Sequence, residues 1–213
     1  MKKKEDITRI YRAALAAFAE YGFKKATVDD IAGRLGMTKG NLYLYAKDKR
    51  GLYDHAVAHA LREWQGRVLR AVRAQNDPRA QFRVMALKAM EYLGQDDDLR
   101  RILARDPGIF PMFTDNDPYG EINRNSVAII TGILKAGIRT GVFRKLNIAA
   151  LPQILFMIYK MFIIGSYISP EGGLRQKMFG ETIELITRGI FREDAAEPVR
   201  GGSPVKKGRR AKQ

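Results

Sequence analysis

The segment 38–41, Thr-Lys-Gly-Asn, opens a short predicted helix with residue types that can recognise DNA. Lys39 and Asn41 fall in the first helical turn, where lysine suits the acceptor atoms of guanine and asparagine suits adenine. Gly40 carries no side chain, so the backbone can approach a ligand closely. Thr38 stands at the N-cap, where free amides and the helix dipole attract a phosphate oxygen. The segment therefore predicts contacts with the bases and phosphates of a duplex.

Thr27 is a second N-cap candidate, because it precedes Val28 and the acidic pair Asp29 and Asp30. Its position at a helix N-terminus predicts a phosphate contact of the kind expected for Thr38. Capping alone explains both threonines equally well, and it is compatible with such a contact.

Catalytic and metal chemistry have weaker support. His55 and His59 are four residues apart, but no acidic third ligand accompanies them and no HExxH motif is present, which favours a surface or interface role. The run Asp96 to Asp98 precedes a helix and is explained by capping. The sequence holds no cysteine, which excludes disulfides, thiolate metal sites and a cysteine nucleophile. We therefore predict no enzyme activity, no cofactor and no metal site.

Two short helices joined by a glycine turn are expected to position the DNA-contacting residues. The second helix of the chain is predicted from Val28 to Leu35, and it ends at Gly36, the residue type best suited to a left-handed C′ position. Only Met37 separates Gly36 from Thr38, and the third helix is predicted to run on to Tyr45, which makes a helix-turn-helix. A first helix precedes them, ends at Gly22 and has an apolar stripe made by Ile7, Ile10, Tyr11, Ala14, Leu15, Phe18 and Tyr21.

Helical spacing continues through the rest of the chain, without strand alternation or internal repeats. A fourth, longer helix follows Asp48 and is broken at Asn76. Further helices are predicted at about 78–93, 97–104, 119–140, 148–168 and 174–192. The segment 106–120 holds three prolines and is predicted to be a loop, although it carries large apolar residues. The fold class is therefore all-α, with about nine helices.

Residues 7 to 57 resemble the DNA-binding domain of the TetR family of bacterial transcriptional regulators. The residues that carry the resemblance are Ala14, Phe18, Gly22, Phe23, Thr27, Val28, Ile31, Ala32, the run Gly36 to Tyr45, Lys47, Asp48, Lys49 and Leu52. It covers about the first quarter of the chain, beyond which only the all-helical character and the length match. The resemblance implies a dimeric, ligand-responsive regulator, most simply a repressor that a small molecule releases from its operator.

The same resemblance implies phosphate contacts for Tyr43, Tyr45 and Lys49, which would fix the register on DNA without reading its sequence. Core packing is the alternative for the two tyrosines. Leu42 and Ala46, one turn apart, are expected to face the core. At the position of Ala46 the family commonly has Phe, so the smaller side chain predicts looser packing beneath the recognition helix unless another side chain fills the gap.

Positive charge is concentrated at the two ends of the chain. The formal net charge is +15, of which residues 1–75 carry +8, residues 76–194 carry +2 and residues 195–213 carry +5. A basic N-terminal third suits a polyanion, although a solvated charged surface is the alternative. We divide the chain into a helix-turn-helix domain at 1–47, a helical effector-binding and dimerisation domain at 48–194 and a disordered basic tail at 195–213.

The segment Ile154 to Ile168 is apolar around almost the whole helical circumference, so it must be covered on more than one side. It carries Lys160 and is shorter than the roughly 20 residues that span a bilayer, so we predict no membrane segment. The N-terminus has no apolar signal region, which favours a cytoplasmic protein. Since regulators resembling TetR dimerise through their last two long helices, helices 8 and 9 are expected to form a homodimer that binds a pseudo-palindromic operator. A helix buried within one subunit is the alternative.

The resemblance further implies an effector pocket enclosed by helices 4 to 8. Large, adaptable side chains near the proline-rich loop are the candidates for an apolar effector: Tyr92, Phe110, Met112, Phe113, Phe156, Met157 and Met161. Plain core is the alternative, because methionine fills irregular gaps. Two other functions stay open, namely an architectural DNA-binding protein without an effector, suggested by the basic tail, and a helical enzyme or partner-binding protein in which the helix-turn-helix is structural.

Overall fold

The computed structural model describes residues 2–111, 117–168 and 172–191. Over these residues the chain is all-α, as predicted, with nine α-helices and one short 3₁₀ helix. The helices are α1 (Lys2–Lys25), α2 (Val28–Leu35), α3 (Lys39–Leu42), α4 (Lys49–Arg73), α5 (Pro78–Gly94), α6 (Asp97–Arg105), α7 (Gly120–Arg139), α8 (Leu151–Ile168) and α9 (Gly172–Ile190), with the 3₁₀ helix at Pro107–Ile109. The predicted tail, residues 195–213, lies outside the described residues.

Side-chain caps begin five of these helices. Thr27 and Thr38 accept hydrogen bonds from backbone amides in the first turns of α2 and α3, which confirms both as N-caps. Aspartates do the same for α4, α5 and α6, where Asp48, Asp77 and Asp96 each accept an amide hydrogen bond. These caps satisfy amides that have no partner within the helix, so the polar residues between the apolar segments set where each helix starts.

Several boundaries differ from the predictions for local reasons. The prediction that the third helix continues to Tyr45 was wrong, because α3 ends at Leu42 and a turn follows in which the amide of Tyr45 donates to the carbonyl of Leu42. α8 begins at Leu151 rather than near residue 148, with Pro152 in its first turn, where a proline is tolerated. α9 begins at Gly172 and ends at Ile190.

The apolar stripe predicted for α1 fails at Tyr21, whose side chain is 43 % exposed. Its ring lies beneath the guanidinium of Arg34 on α2, 5.3 Å from the ring centroid. Arg34 also pairs with Glu20 at 2.5 Å. Tyr21 therefore packs against Arg34 at the surface rather than in the core.

α1 bends at Gly22, which has a φ of 78° and a ψ of 158°, before its last residues. The carbonyls that lose their helical partners at this bend are met by Arg105 at the end of α6. Its Nη1 donates to the carbonyl of Ala19 at 2.5 Å and to that of Glu20 at 3.3 Å. α6 is thereby attached to the N-terminal three-helix unit.

Most buried side chains form one large core that runs through both parts of the chain, and Ala86, Phe162 and Phe179 form a second, smaller cluster. In the N-terminal part, Phe18 and Phe23 of α1 pack against Tyr53 of α4, with ring centroids 5.2 Å from that of Tyr53. In the larger part, Trp64 of α4 is buried and donates from Nε1 to the carbonyl of Ala89 on α5 at 2.9 Å. α4 is therefore shared by the two parts, and the division at residues 47 and 48 stays a prediction.

The link between α7 and α8 is anchored by Phe143. Its ring lies directly over Gly137 of α7, so that a Cβ at residue 137 would come within 2.1 Å of a ring carbon. The same ring stacks on Phe191, with centroids 5.1 Å apart and planes 5° apart, and the amide of Arg144 donates to the carbonyl of Ile190 at 3.0 Å. The end of α9 is thus fastened to the end of α7.

Candidate nucleic-acid interface and effector cavity

Gly36 reverses the chain between α2 and α3. Its φ of 64° and ψ of 32° lie in the left-handed region, as predicted for a C-terminal glycine. Its amide donates to the carbonyl of Gly33 at 3.1 Å, and the amide of Met37 donates to that of Ala32 at 3.0 Å. These bonds close the end of α2 and start α3 after a turn of two residues.

The two threonine caps differ in whether the hydroxyl proton already has an acceptor within the protein. The hydroxyl of Thr27 donates to Asp30 at 2.6 Å, while the amide of Asp30 donates back to it at 3.0 Å, and the hydrogen bond from the Thr27 hydroxyl lowers the pKa of Asp30. The hydroxyl of Thr38 accepts from the amide of Asn41 at 3.3 Å. Among the described residues, the Thr38 hydroxyl has no acceptor for its own proton. Thr38 is therefore the better placed of the two to donate to a phosphate.

All four residues of the segment 38–41 are exposed. Lys39 is engaged by α2, because its Nζ lies 3.0 Å from Oδ2 of Asp29, and this hydrogen bond raises the pKa of Lys39. A Cβ at Gly40 would meet nothing closer than the Thr38 hydroxyl at 3.9 Å, so the fold itself has room for a side chain there. The absence of a side chain at Gly40 therefore matters only toward an external ligand.

The three residues expected at phosphates have different surroundings. Tyr43 is 41 % exposed, whereas Tyr45 is half-buried and packs against the core. The Nζ of Lys49 donates to the carbonyl of Lys24 at 3.2 Å and lies 4.9 Å from the centroid of the Phe23 ring. Tyr43 is thus presented outward, while Tyr45 and Lys49 also help to hold the helix-turn-helix on α1 and α4.

Leu44 is a surface residue that the sequence analysis did not single out. Its side chain is 80 % exposed, between Tyr43 and Tyr45 in the turn after α3. Its neighbours Leu42 and Ala46 are 1 % and 6 % exposed, as expected for core-facing positions. An apolar residue between two tyrosines looks like core in a sequence, and only the early end of α3 turns it outward.

His55 and His59 lie at the junction of α1 and α4. Both rings pack on Tyr11, with centroids 5.8 and 5.6 Å away, and Nδ1 of His55 lies 3.2 Å from the carbonyl oxygen of Tyr45. Nε2 of His59 lies 3.6 Å from Glu63, and burial lowers the pKa of His59. Over the part of the chain that the structure describes, no three residues among His, Cys, Asp and Glu are arranged to hold a metal ion.

The segment that contains the helix-turn-helix matches the sequence model of a known protein family. The model of that family, described as bacterial regulatory proteins of the tetR family, matches residues 10–56. Residues 10–56 form a TetR-family domain. This matched segment includes the two threonine caps and the whole of α2 and α3.

The curated relatives of this chain are transcriptional regulators. The HTH-type transcriptional repressor KstR2 of Rhodococcus jostii (strain RHA1) is 24 % identical over 145 residues, which are 64 % of this chain and 67 % of the repressor. The HTH-type transcriptional regulator BetI of Yersinia pestis (strain Pestoides F) is 32 % identical over 80 residues, which are 37 % of this chain and 40 % of BetI. The chain therefore matches two thirds of one relative and less than half of the other.

Solved structures extend the likeness to the larger part of the chain. A TetR-family transcriptional regulator from Pectobacterium atrosepticum has a TM-score of 0.71 at 20 % identity, over 89 % of this chain and 96 % of that one. The transcriptional regulator FadR from Bacillus subtilis, in complex with stearoyl-CoA, has a TM-score of 0.69 at 20 % identity, over 85 % and 98 %. At this identity the likeness establishes the fold, which is that of TetR-family regulators.

The larger part of the chain encloses an apolar cavity of about 100 Å³. Side chains of α4, α5, α7, α8 and α9 line it, together with Phe110 after the 3₁₀ helix. Trp64, the one tryptophan of the chain, forms part of its wall. The resemblance implied a pocket enclosed by helices 4 to 8, whereas the wall includes α9 and no residue of α6.

The five effector candidates that lie within the described residues are not brought together. Phe110 and Phe156 line the cavity. Met161 is 52 % exposed and Met157 is not in the wall. The ring centroid of Tyr92 lies 4.3 Å from the guanidinium of Arg67, in a separate cleft of about 450 Å³ that is lined by α1, α4, the end of α5 and the start of α6. Met112 and Phe113 lie outside the described residues.

Polar residues in the cavity wall are satisfied within the protein. The Nε2 of Gln65 donates to the Ser126 hydroxyl at 2.7 Å and to the carbonyl of Ile122 at 2.9 Å. The side-chain Nδ2 of Asn123 donates to Oδ2 of Asp117 at 2.8 Å. An occupant of the cavity would therefore meet an almost wholly apolar surface.

None of the helices in the described part of the chain is both long and apolar enough to cross a bilayer.

Proposed function

We propose that this chain is a sequence-specific DNA-binding transcriptional regulator that acts as a homodimer, and that a small molecule bound in the apolar cavity releases it from its operator. The observation that carries the proposal is the exposed segment 38–41 at the start of α3, within the residues that the TetR-family model matches. In this role Lys39 and Asn41 contact base edges, while Thr38 and Tyr43 bind phosphates.

An uncovered apolar strip on the last two helices supports the homodimer. Ile154 and Met161 of α8 are 49 % and 52 % exposed, and Met178 and Leu185 of α9 are 52 % and 71 % exposed. Each pair is separated by seven residues, which places its members on one helix face. Since α8 packs against α9, we infer that a second copy of the chain covers both exposed pairs.

A chain of contacts connects the cavity with the DNA-binding domain and supports ligand control. Phe110 lies in the cavity wall, and a few residues before it Asp106 accepts a hydrogen bond from Tyr53 of α4 at 2.9 Å. Burial and this bond raise the pKa of Tyr53, so its hydroxyl remains a donor at neutral pH. The preceding residue, Arg105, holds the end of α1. A ligand that displaces Phe110 would therefore act on both helices that carry the helix-turn-helix.

The experiment that tests the function is a selection of bound duplexes from a random pool by the purified full-length chain. We expect enrichment of one pseudo-palindromic sequence. Enrichment without any sequence preference would instead favour an architectural DNA-binding protein, consistent with the net charge of +15. No retention of DNA at low salt would mean that the helix-turn-helix is structural.

A further inference from the structure

Lys160 is a buried cation in the most apolar helix of the chain. Its side chain is 6 % exposed in α8, and its Nζ donates to the carbonyl of Pro111 at 2.9 Å. Lysine has three N–H donors. Over residues 2–111, 117–168 and 172–191, no other hydrogen-bond acceptor and no carboxylate within 4 Å engages this ammonium. Burial accordingly lowers the pKa of Lys160, against the opposing field of Asp117.

The ammonium stands directly behind the cavity wall. It lies 5.4 Å from the centroid of the Phe156 ring, and Phe156 lines the cavity. The carbonyl that it binds belongs to Pro111, whose preceding residue, Phe110, also lines the cavity. Lys160 is not itself among the wall residues, so a ligand group would reach its Nζ only by passing between these two phenylalanines.

Asp117, the described carboxylate whose field acts on Lys160, is engaged by other groups. It accepts from the amide of Tyr119 at 2.9 Å and from the side chain of Asn123 at 2.8 Å. A buried charge without a counterion is costly to fold, whereas a carboxylate brought by a ligand would form a charge-assisted hydrogen bond in a dry site. The free N–H donors of Lys160 are thus matched to an anion that the described part of the chain does not supply.

We propose that the effector is a short-chain apolar monocarboxylate, with its carboxylate on Lys160 and its alkyl chain in the cavity. This inference rests on the proposed function, because it takes the cavity to be the effector site. The cavity of about 100 Å³ limits the alkyl chain to a few carbons, since it is smaller than the engineered apolar cavity of about 150 Å³ that holds benzene.

The test compares hexanoate with hexanamide, which has the same chain and no charge. Because Trp64 is the one tryptophan and lies in the wall, its fluorescence reports occupancy of the cavity in the full-length protein. We expect hexanoate to bind about tenfold more tightly than hexanamide, as a charge-assisted hydrogen bond requires. Equal affinities of the wild-type chain for the two compounds would overturn the inference.

Two variants and a matched control assign the preference to one residue. Lys160→Met should lose the preference for hexanoate and keep its affinity for hexanamide, while Lys160→Arg should retain the preference. Lys135→Met, an exposed lysine of α7, should behave as the wild type. A persistent preference for hexanoate in a folded Lys160→Met would overturn the assignment, and if that variant does not fold, the wild-type comparison decides.

The outcomes separate this inference from the function on which it rests. If both compounds bind with equal affinity and weaken operator binding, the effector cavity stands and the carboxylate inference fails. If neither compound alters Trp64 emission or operator binding, the inference fails together with the cavity's proposed role. Neither result bears on whether the ligand-free chain binds a specific operator, which is measured separately.

Discussion

At the scale of single residues, Lys39 is engaged before any DNA is present. Its ion pair with Asp29 is exposed and therefore weak, so phosphates and base acceptors can compete for the ammonium. The side chain of Asn41, in contrast, makes no hydrogen bond to the described residues. We expect Asn41 to contribute directly to base recognition and Lys39 to contribute after it leaves Asp29.

Replacing these two residues should change which bases are preferred. Lys39→Ala and Asn41→Ala are each expected to relax the preference at particular base pairs, by about 1 to 3 kcal/mol where the contact is bidentate. Lys49→Ala, as the comparison, should weaken all sequences alike and lower the salt slope by about one. Selection of bound duplexes by each variant measures both effects, and identical base-preference profiles for the wild type and both α3 variants would contradict the assignment.

Leu44 should recognise a thymine methyl group. Its exposed side chain in the turn after the recognition helix offers an apolar surface, and the methyl of thymine is the apolar group of the major groove. We expect deoxyuridine in place of one operator thymine to weaken the wild-type complex and to leave Leu44→Ala unaffected at the same position. A uniform response of both proteins at every thymine would show that Leu44 does not face the bases.

At the scale of elements, the contact of Phe143 with Gly137 fixes how closely the α7–α8 link approaches α7. Gly137→Ala should destabilise the protein, because the added Cβ would lie 2.1 Å from the Phe143 ring. Displacing the ring also disturbs its stacking on Phe191, and overpacking of this kind costs about 1 to 3 kcal/mol. Urea unfolding measures this loss.

Gly132 provides the control for that substitution. It lies in the same helix, and a Cβ there would meet nothing within 4 Å. Gly132→Ala should therefore leave the free energy of unfolding unchanged or raise it, because alanine favours a helix over glycine by about 1 kcal/mol. If the two variants are equally stable, Phe143 is not packed against α7 in solution.

The sequence predicted the elements better than their last turns. Apolar spacing and capping residues such as Thr27 and Asp96 define helix starts locally, so most starts were placed within a few residues. The end of α3 was misjudged because the apolar pattern continues through Leu44, and only the fold shows that this residue is exposed. The resemblance implied a pocket, but its full lining could not be predicted, since the wall joins five helices that are distant in sequence. Tyr92 and Phe156 are both large apolar residues on helices, yet only Phe156 lines that wall.

At the scale of the whole molecule, one face of α8 contributes to the core of the subunit and the other to the proposed dimer interface. Phe162 is 8 % exposed and packs on Phe179 of its own subunit, with ring centroids 5.2 Å apart, whereas its neighbour Met161 is 52 % exposed. Adjacent residues of one helix thus belong to the core and to the proposed interface. This arrangement makes a direct test of the dimer feasible.

Met161→Asp is expected to give a folded monomer, and Phe162→Asp an unfolded chain. A charge at the interface prevents burial against a partner, while a charge in the core has no counterion. Sedimentation measured together with helical content distinguishes the two results. A wild-type chain that stays monomeric at micromolar concentration would exclude the dimer, and with it two reading heads about 34 to 36 Å apart on a palindrome.

The attachment of Arg105 to the end of α1 has a consequence for the order in which the protein is made. The guanidinium and the carbonyl of Ala19 are 86 residues apart in the chain. At about 5 to 20 residues per second, a ribosome adds Ala19 roughly 4 to 17 seconds before it adds the arginine that secures α1. Until then the nascent helix-turn-helix lacks its α6 support, so the mature orientation of the DNA-binding surface is acquired only when half of the polypeptide has been synthesised.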